Sequence, residues 1–318
     1  MKKILCVLLA ALTILSLCAC GSADTAPAST TAAVPAETTE TTVSTEPASS
    51  EVYHNTKWDG KTMKVLCVGN SFARNGSKYL YEIATAHGVE EVVVGVLYIG
   101  GCSVSKHWSN AKSNAAAYTY YKNDSGQWKK IENASLIYGL QDEDWDVITI
   151  TQGQGNHGIP SSYDGCLEEL VAYLQENKTN PEAQLAFHMT WAFPPNSTND
   201  RFNLYANNQE TMFQAITQTA RDRVLPVAGI DLLLPDGTSI QNARTKLGEI
   251  FFDDDLFHLN STGEFVASYT WFAYLTGQPV EELKYLEPIQ TAKSSHEPIL
   301  KAVNAALASP FTVTDVSE

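Results

Sequence analysis

Basic residues, cysteines and long apolar runs are all scarce in this sequence. Lys and Arg number 21 against 36 Asp and Glu, which gives a formal net charge of −15. This surplus repels the nucleic-acid backbone, so DNA and RNA are excluded as expected partners. Six cysteines in 318 residues are too few for a disulfide scaffold, and no Cys-x-x-Cys pair suggests zinc. Stability must come from a buried core, which a chain with 44% hydrophobic residues can supply.

The most continuous apolar run lies at the N-terminus and predicts an export signal. Two lysines precede the apolar stretch Ile4 to Leu12, which is too short to be a comfortable membrane span. Residues 17–20, Leu-Cys-Ala-Cys, resemble a bacterial lipobox, in which Cys20 becomes the lipid-bearing first residue after cleavage. We therefore expect residues 1–20 to be a lipoprotein signal peptide and the exported protein to be held on the outer face of the cell membrane. The alternative is an ordinary signal peptide with an incidental cysteine.

A segment rich in Ser, Thr, Pro and Ala follows the signal. Residues 21–50 contain no aromatic residue, and the first one is Tyr53. Such a segment buries too little apolar surface to offset its ordering entropy. We expect residues 21–55 to be a disordered linker and residues 56–318 to form the folded domain.

Strand-length apolar runs alternate with helical periodicity across this domain. Five runs predict strands: Met63–Gly69, Val92–Tyr98, Asp146–Thr151, Gln184–Thr190 and Val224–Ile230. Three stretches predict helices between them: Lys78–His87, Tyr163–Glu176 and Arg201–Arg223. This alternation predicts an α/β fold, a three-layer α/β/α sandwich around a mostly parallel five-stranded sheet. Ala116–Ile131 interrupts the rhythm and predicts a hairpin, and one or two closing helices are expected after residue 280.

A serine follows the first predicted strand directly, in the sequence Gly69-Asn70-Ser71-Phe72. A glycine here allows a tight turn that presents the Ser71 hydroxyl at the edge of the sheet, where ligands of such sheets bind. Turn chemistry or a helix cap is the more common reason for a serine in this position. As a nucleophile, Ser71 also requires a base.

A base is available near the other end of the chain. Asp255 and His258 are three residues apart on a predicted turn, and a Ser261-x-x-Glu264 capping box follows at the start of an apolar helix. A carboxylate in this position can orient the imidazole and stabilise the imidazolium that forms when it takes a proton. The alternative is a solvated acidic turn with a chance histidine.

In this order, the two pieces resemble the SGNH or GDSL hydrolase superfamily, and more closely a bacterial branch known as domain of unknown function 4886. Members of that branch carry Gly-Asn-Ser-Phe, here Gly69–Phe72, where the wider superfamily has Gly-Asp-Ser-Leu. Further segments that look like this branch are 98–103, 145–149, 188–192 and 240–244. The resemblance covers residues 60–277 and implies a flavodoxin-like SGNH hydrolase fold.

The resemblance also implies an oxyanion hole. Ser71 and Gly101 match two of its donor positions. The third donor follows the third strand, where the usual Gly-x-Asn-Asp is replaced by Thr151-Gln152-Gly153-Gln154-Gly155-Asn156. Gln152 is the favoured donor, and Gln154 and Asn156 remain open because each carries an NH2 group.

These features predict a surface-anchored serine esterase that needs no metal or cofactor. Ser71 is the expected nucleophile, His258 the general base and Asp255 its orienting partner. Resemblance to SGNH enzymes implies an acylated, for example O-acetylated, glycan or small molecule as substrate. The alternatives are a non-catalytic glycan-binding lipoprotein on this scaffold and an acyltransferase that uses the same three residues. The sequence leaves the oligomeric state open.

Other polar and aromatic residues have simpler expected roles. Three histidines lack the spacing of a zinc site and are expected to be hydrogen-bonded or to support the cleft: His107, His157 and His188. Three aromatic residues are expected either to pack in the core or the cleft wall or to stack on a sugar ring: Trp108, Trp191 and Phe193. The acidic surplus disfavours anionic substrates unless Arg74 or Arg244 compensates. A bridge between Cys102 and Cys166 is conceivable.

Overall fold

A seven-stranded sheet runs through the computed structural model, which describes residues 53–287 and 293–318. Its strands are β1 (Thr62–Gly69), β2 (Glu91–Tyr98), β3 (Tyr118–Asn123), β4 (Trp128–Ala134), β5 (Val147–Thr151), β6 (Gln184–His188) and β7 (Leu232–Leu234). Their order across the sheet is β4-β3-β2-β1-β5-β6-β7. The neighbouring pairs β2–β1, β1–β5, β5–β6 and β6–β7 are parallel. β3 pairs antiparallel with β2, and β4 pairs antiparallel with β3 at the edge of the sheet.

The prediction of five strands is wrong in number because the hairpin joins the sheet. β3 and β4 form the hairpin expected from Ala116–Ile131, and β3 pairs with β2 over Val94–Tyr98. The α/β prediction itself is confirmed, with a central, mostly parallel sheet flanked by helices.

The fifth predicted strand, Val224–Ile230, is wrong in position. The chain there leaves a π-helical turn at Ala220–Val224 and makes further turns, and the strand forms instead at Leu232–Leu234. Pro226 has no N–H for a sheet ladder, and Gly229 adopts a φ of +93°. A run of apolar side chains therefore does not become a strand where its backbone must turn.

The helices are α1 (Ser71–Gly76), α2 (Leu80–Ala86), α3 (Val104–Ser113), α4 (Leu136–Leu140), α5 (Leu167–Asn177), α6 (Gln209–Thr219), α7 (Asp236–Leu247), α8 (Ser261–Thr276) and α9 (His296–Ala308). α1, α2, α7 and α9 contact α8, whereas α3, α4 and α5 contact one another. The predicted helix Arg201–Arg223 is divided, because Ala206 and Asn207 adopt positive φ values between a 3-10 turn and α6.

Helix α8 is buried over almost its whole surface and starts differently from the prediction. The Asn260 side chain caps it by accepting from the N–H groups of Thr262 at 3.0 Å and Gly263 at 3.2 Å. Glu264 does not complete the expected capping box, because its carboxylate accepts from Asn75 Nδ2 at 2.7 Å. Asn260 stands one residue earlier than Ser261 and reaches the same free N–H groups.

The fold begins slightly before the predicted domain start at residue 56. Leu233 N–H donates to the Tyr53 carbonyl at 2.9 Å, and Asn55 N–H donates to the Tyr274 carbonyl at 2.8 Å. The predicted signal peptide, most of the predicted linker and the lipidation residue Cys20 lie outside the described residues. Within residues 53–287 and 293–318, no helix has both the length and the apolar character needed to span a bilayer.

Candidate active site

Ser71 is presented by the junction of β1 and α1. Asn70 caps α1, and its Oδ1 accepts the Phe72 N–H at 2.9 Å. The backbone is packed closely here, since a Cβ on Gly69 would lie 2.5 Å from the Ala73 Cβ. A side chain at position 69 would collide with Ala73, so glycine is required where β1 meets α1, and a half-buried Ser71 begins the helix.

A short loop carries Asp255 and His258 to this serine. Phe252 and Leu259 form an isolated antiparallel bridge, and Leu256 turns the loop with a φ of +58°. Asp255 Oδ1 accepts the main-chain N–H of His258 at 3.0 Å. The second oxygen, Oδ2, lies 2.7 Å from His258 Nδ1.

The ring of His258 links the carboxylate to the hydroxyl. His258 Nε2 lies 2.7 Å from Ser71 Oγ, although 187 positions separate the two residues. Burial raises the pKa of Asp255, but hydrogen bonds from His258 and Phe257 outweigh it and hold that pKa below its ordinary value. An ionised Asp255 requires Nδ1 of the ring to donate, which leaves the lone pair of Nε2 facing the Ser71 hydroxyl. The structure thus brings Ser71, His258 and Asp255 together in one chain of hydrogen bonds.

Gly101 lies in the loop after β2 and has a free donor. It adopts a φ of +61°, which favours glycine. Its N–H has no hydrogen-bond acceptor among the described residues, and the residue is exposed. A free amide in an exposed loop at the carboxyl end of β2 is available to an oxyanion.

The side chain of Gln152 is committed elsewhere, which contradicts its predicted role as an oxyanion donor. It is fully buried, and its Oε1 accepts from the N–H groups of Val104 at 3.0 Å and Gly153 at 2.8 Å. Its Nε2 donates to Ser162 Oγ at 3.0 Å. Gln152 therefore joins the end of β5 to the start of α3 and to the turn at Pro160–Tyr163.

The two alternatives to Gln152 keep their side-chain amides free. Neither Gln154 nor Asn156 makes a side-chain hydrogen bond within the described part of the chain, and both are half-buried. Gly153 holds their loop against the loop of Gly101, since a Cβ on Gly153 would lie 3.0 Å from the Gly101 carbonyl oxygen. The loop after β5 thus lies beside the Gly101 loop with unpaired NH2 groups.

Ser71 opens into a cleft of about 300 Å³. Its other lining residues are Arg74, Asn75, Lys78, Tyr98, Asp253, His258 and Glu264. Sequence reasoning assigned no site role to most of them, although a signal was present. Arg74 and Asn75 follow Ser71 by three and four positions, which is the spacing of one helix face, and Lys78 lies in the turn after α1.

A family model for the domain of unknown function DUF4886 matches residues 64–306. The chain belongs to the DUF4886 family. It is similar to a DUF4886 family protein from Bacteroides uniformis ATCC 8492, whose crystal structure superposes with a TM-score of 0.76 at 34% identity. That match covers 81% of this chain and 99% of the other. No curated protein matches the chain.

Two solved enzymes are more distantly similar to this DUF4886 chain. LAE5, an alpha/beta hydrolase enzyme from the metagenome of Lake Arreo, Spain, has 13% identity and a TM-score of 0.42, with 69% of this chain and 95% of that one covered. A single-residue variant of Axe2, an acetyl xylan esterase from Geobacillus stearothermophilus, has 13% identity and a TM-score of 0.43, with 70% and 99% covered.

Three other histidines of this DUF4886 protein are buried in the fold. His107 Nδ1 lies 2.9 Å from the Tyr118 hydroxyl, and burial lowers the pKa of His107 to about 3. His188 Nε2 lies 2.8 Å from Asp236 Oδ2, with both side chains fully buried. His157 packs against Phe72 and has no partner for either ring nitrogen. Within the described ranges, no three His, Cys, Asp or Glu side chains are grouped so as to hold a metal ion.

The remaining predicted residues have structural positions. Arg244 donates to Glu249, Gln241 and the Ala192 carbonyl, so it is not free for a substrate. The aromatic side chains Trp191 and Phe193 are fully buried, whereas Trp108 is partly buried. Cys67, Cys102 and Cys166 are separate buried thiols, and burial raises the pKa of Cys67 and of Cys102 to about 12.

Proposed function

We propose that this protein is a serine esterase of the SGNH type that removes an acyl group, such as acetyl, from an extracellular carbohydrate or a related ester. The observation that carries the proposal is the continuous relay from Asp255 through His258 to Ser71, with 2.7 Å at each step. The distance from Ser71 Oγ to His258 Nε2 allows direct proton transfer, and the hydrogen bond from His258 Nδ1 to Asp255 orients the ring. The cleft beside Ser71 is open and largely polar, which suits a hydrophilic ester rather than a lipid.

The proposed reaction has two halves. Ser71 Oγ attacks the ester carbonyl while its proton passes to His258 Nε2, and Asp255 stabilises the imidazolium. His258 then gives the proton to the leaving alcohol oxygen, and an acyl group remains on Ser71. Water attacks this acyl-enzyme with His258 again as base, which releases the carboxylic acid and restores the serine.

The main-chain N–H groups of Ser71 and Gly101 are the proposed oxyanion donors. Since the amide of Gln152 is used in the fold, we assign the third donation to Gln154, whose amide is free and whose loop lies against that of Gly101. Each preorganised donor of this kind is worth about 3 kcal/mol in the transition state.

Labelling and turnover test the proposal together. Residues 53–318 are treated with a fluorophosphonate probe and assayed with 4-nitrophenyl acetate, alongside Ser71→Ala and His258→Ala. We expect the wild type to be labelled and active, and both variants to lose labelling and turnover. Ser125→Ala removes an exposed hydroxyl from the hairpin turn and is the matched control. Equal slow turnover in all four proteins would favour the glycan-binding alternative instead.

The proposed location is tested separately in the full chain. We propose export and lipid anchoring through Cys20, so Cys20→Ala should release the protein from membranes. Cys18→Ala alters the neighbouring cysteine and should leave the protein in the membrane fraction. Membrane retention of Cys20→Ala equal to that of the wild type would contradict lipidation.

A further inference from the structure

Arg74 lies in the same cleft as Ser71 and carries an unpaired charge. Within the described residues, no carboxylate, carbonyl or hydroxyl oxygen accepts a hydrogen bond from its guanidinium. Three other arginines of the chain are paired: Arg221 with Asp222, Arg223 with Asp164 and Glu168, and Arg244 with Glu249. In a protein with a formal charge of −15, a cation in the cleft without a carboxylate partner requires an explanation.

Two tyrosine rings hold the guanidinium in place. Its central carbon lies 4.1 Å from the ring centroid of Tyr121 and 5.9 Å from that of Tyr98. Stacking on a ring face fixes the plane of the guanidinium but leaves its in-plane N–H groups available. Those N–H groups form the fork that binds a carboxylate in a bidentate manner. The guanidinium of Arg74 is therefore held by two rings while its N–H groups can bind an anion.

Charged residues of both signs lie around Arg74 in the cleft. Lys78 lines the cleft with it, and Lys130 pairs opposite Tyr121 on β4, where it contacts Glu132. The acidic residues Asp253 and Glu264 belong to the His258 loop and to α8. Glu264 is bonded to Asn75, and its pKa is raised by burial. Arg74 therefore lies against Tyr121 of the β3–β4 hairpin, whereas Lys78 lies near Glu264, where its charge opposes the rise in the pKa of that carboxyl.

Ser71 and Arg74 lie on the same short helix and line the same cleft. Arg74 follows Ser71 by three residues, so it lies on the same helix face, about 4.5 Å further along the axis. Both residues line one cleft of about 300 Å³, so a single small molecule or sugar unit can present a carboxylate to Arg74 and an ester carbonyl to Ser71.

We propose that the substrate is an ester that also carries a carboxylate, and that Arg74 binds this carboxylate while Ser71 attacks the ester. This inference rests on the proposed esterase function. The carboxylate belongs either to the sugar, as in an O-acetylated uronic acid, or to the acyl group, as in a half-ester of a dicarboxylic acid. Arg74 is a specificity-determining residue in both cases.

Matched pairs of esters show whether the carboxylate belongs to the sugar or to the acyl group. The sugar arm compares O-acetylated methyl glucuronoside with O-acetylated methyl glucoside. The acyl arm compares mono-4-nitrophenyl succinate with 4-nitrophenyl butyrate. We expect kcat/KM to favour the acidic member of one pair by about tenfold or more, because charge-assisted hydrogen bonds are involved. A wild type that prefers the neutral member of both pairs would overturn the inference.

Variants of Arg74 then show whether this residue causes the preference for the acidic ester. In Arg74→Gln the ratio of acidic to neutral kcat/KM should fall by about tenfold or more, and in Arg74→Lys by less, since the charge remains but the fork is lost. The ratio is compared within each variant, so a general loss of activity cancels. Arg221→Gln removes an exposed, paired arginine and should keep the wild-type ratio. An unchanged ratio in Arg74→Gln, with hydrolysis intact, overturns the inference and leaves the esterase proposal standing.

Binding provides a readout that does not need turnover. If no ester is hydrolysed, the esterase proposal fails, and calorimetric titration with methyl glucuronoside and with succinate still decides the role of Arg74. Binding of one of them to the wild type, and its loss in Arg74→Gln but not in Arg221→Gln, supports the anion site. Absence of binding to the wild type overturns it.

Discussion

Asn70 Nδ2 donates to the main-chain carbonyl oxygen of Gln152 at 2.8 Å. The same NH2 group donates to the carbonyl of Cys102 at 3.0 Å, and the amide oxygen accepts from Phe72. One buried amide therefore ties together the loops after β1, β2 and β5. The aspartate of the wider Gly-Asp-Ser-Leu motif cannot make these two donations when ionised, because a carboxylate only accepts.

Asn70→Asp tests this link with almost no change of shape. The new carboxylate would face two carbonyl oxygens at about 3 Å in a buried position, so we expect unfolding to require about 3 kcal/mol less free energy at neutral pH. Urea unfolding measures this loss. Asn203→Asp makes the same change at an exposed position and should stay within about 0.5 kcal/mol of wild type. Equal stability of the two variants would mean that the Asn70 donations contribute nothing.

Gln152 and Gln154 should respond to alanine in opposite ways. Gln152→Ala leaves the buried N–H groups of Val104 and Gly153 without an acceptor, so we expect a loss of about 2–4 kcal/mol in unfolding free energy. Gln154→Ala should leave the melting temperature unchanged and lower kcat by about 100-fold, because a proposed oxyanion donor is lost. Asn156→Ala serves as the comparison for the remaining free amide. A normal kcat in Gln154→Ala and a reduced one in Asn156→Ala would move the role to Asn156.

The relay residues were accessible to sequence reasoning because their chemistry is local. Gly69 and Ser71 define a strand-to-helix turn, and Asp255 and His258 are close enough in sequence to pair within one loop. That these segments meet is a matter of tertiary packing, because the Asp255–His258 loop lies between α7 and α8 and the contact of α8 with α1 brings it to Ser71. The role of Gln152 was not accessible, since its partners Val104 and Ser162 come from distant segments that no local pattern relates to it.

The difference between local sequence patterns and long-range packing also explains the two errors in the predicted sheet. The turn sequence predicts a hairpin at Ala116–Ile131, but its attachment to β2 depends on which sheet edge is free. The apolar run Val224–Ile230 has the composition of a strand, and Pro226 and Gly229 turn its backbone instead. Composition selects buried segments, whereas backbone geometry decides which of them become strands.

Asp255→Asn should impair the orientation of His258, and therefore kcat, without affecting the folding of the protein. With the Asn oxygen on the His258 N–H, the Asn NH2 would donate to the ring Nδ1 and force the proton onto Nε2, which then cannot accept from Ser71. We expect kcat to fall by about 1000-fold or more. The Asp255 side chain is 40% exposed, so the melting temperature should change little. Asp254→Asn alters the neighbouring exposed carboxylate and should retain turnover; comparable losses in both variants would contradict a specific role for Asp255.

His157 should make the stability of the protein depend on pH. Burial, together with the nearby His188, lowers the pKa of His157 to about 3, and neither ring nitrogen has a partner. The ordinary pKa of an unfolded histidine is about 6.5, so between these values the unfolded chain binds the extra proton. The stabilisation is therefore complete above about pH 6.5 and is lost as the pH falls, by about 1.4 kcal/mol per pH unit for this group.

His157→Phe removes this titration while keeping a ring beside Phe72. We measure the unfolding free energy by urea unfolding as the pH falls from about 6.5 to about 4.5. Relative to wild type, the unfolding free energy of the variant should rise by about 1.4 kcal/mol per pH unit. Tyr205→Phe is the matched control, because it removes a buried hydroxyl bonded to the Gly155 carbonyl at 2.7 Å. Burial raises the pKa of Tyr205 to about 12, so this hydroxyl does not titrate between about pH 6.5 and about pH 4.5. The unfolding free energy lost in Tyr205→Phe should therefore be the same throughout this range. Parallel stability curves for His157→Phe and wild type would show that His157 does not stay neutral in the folded state.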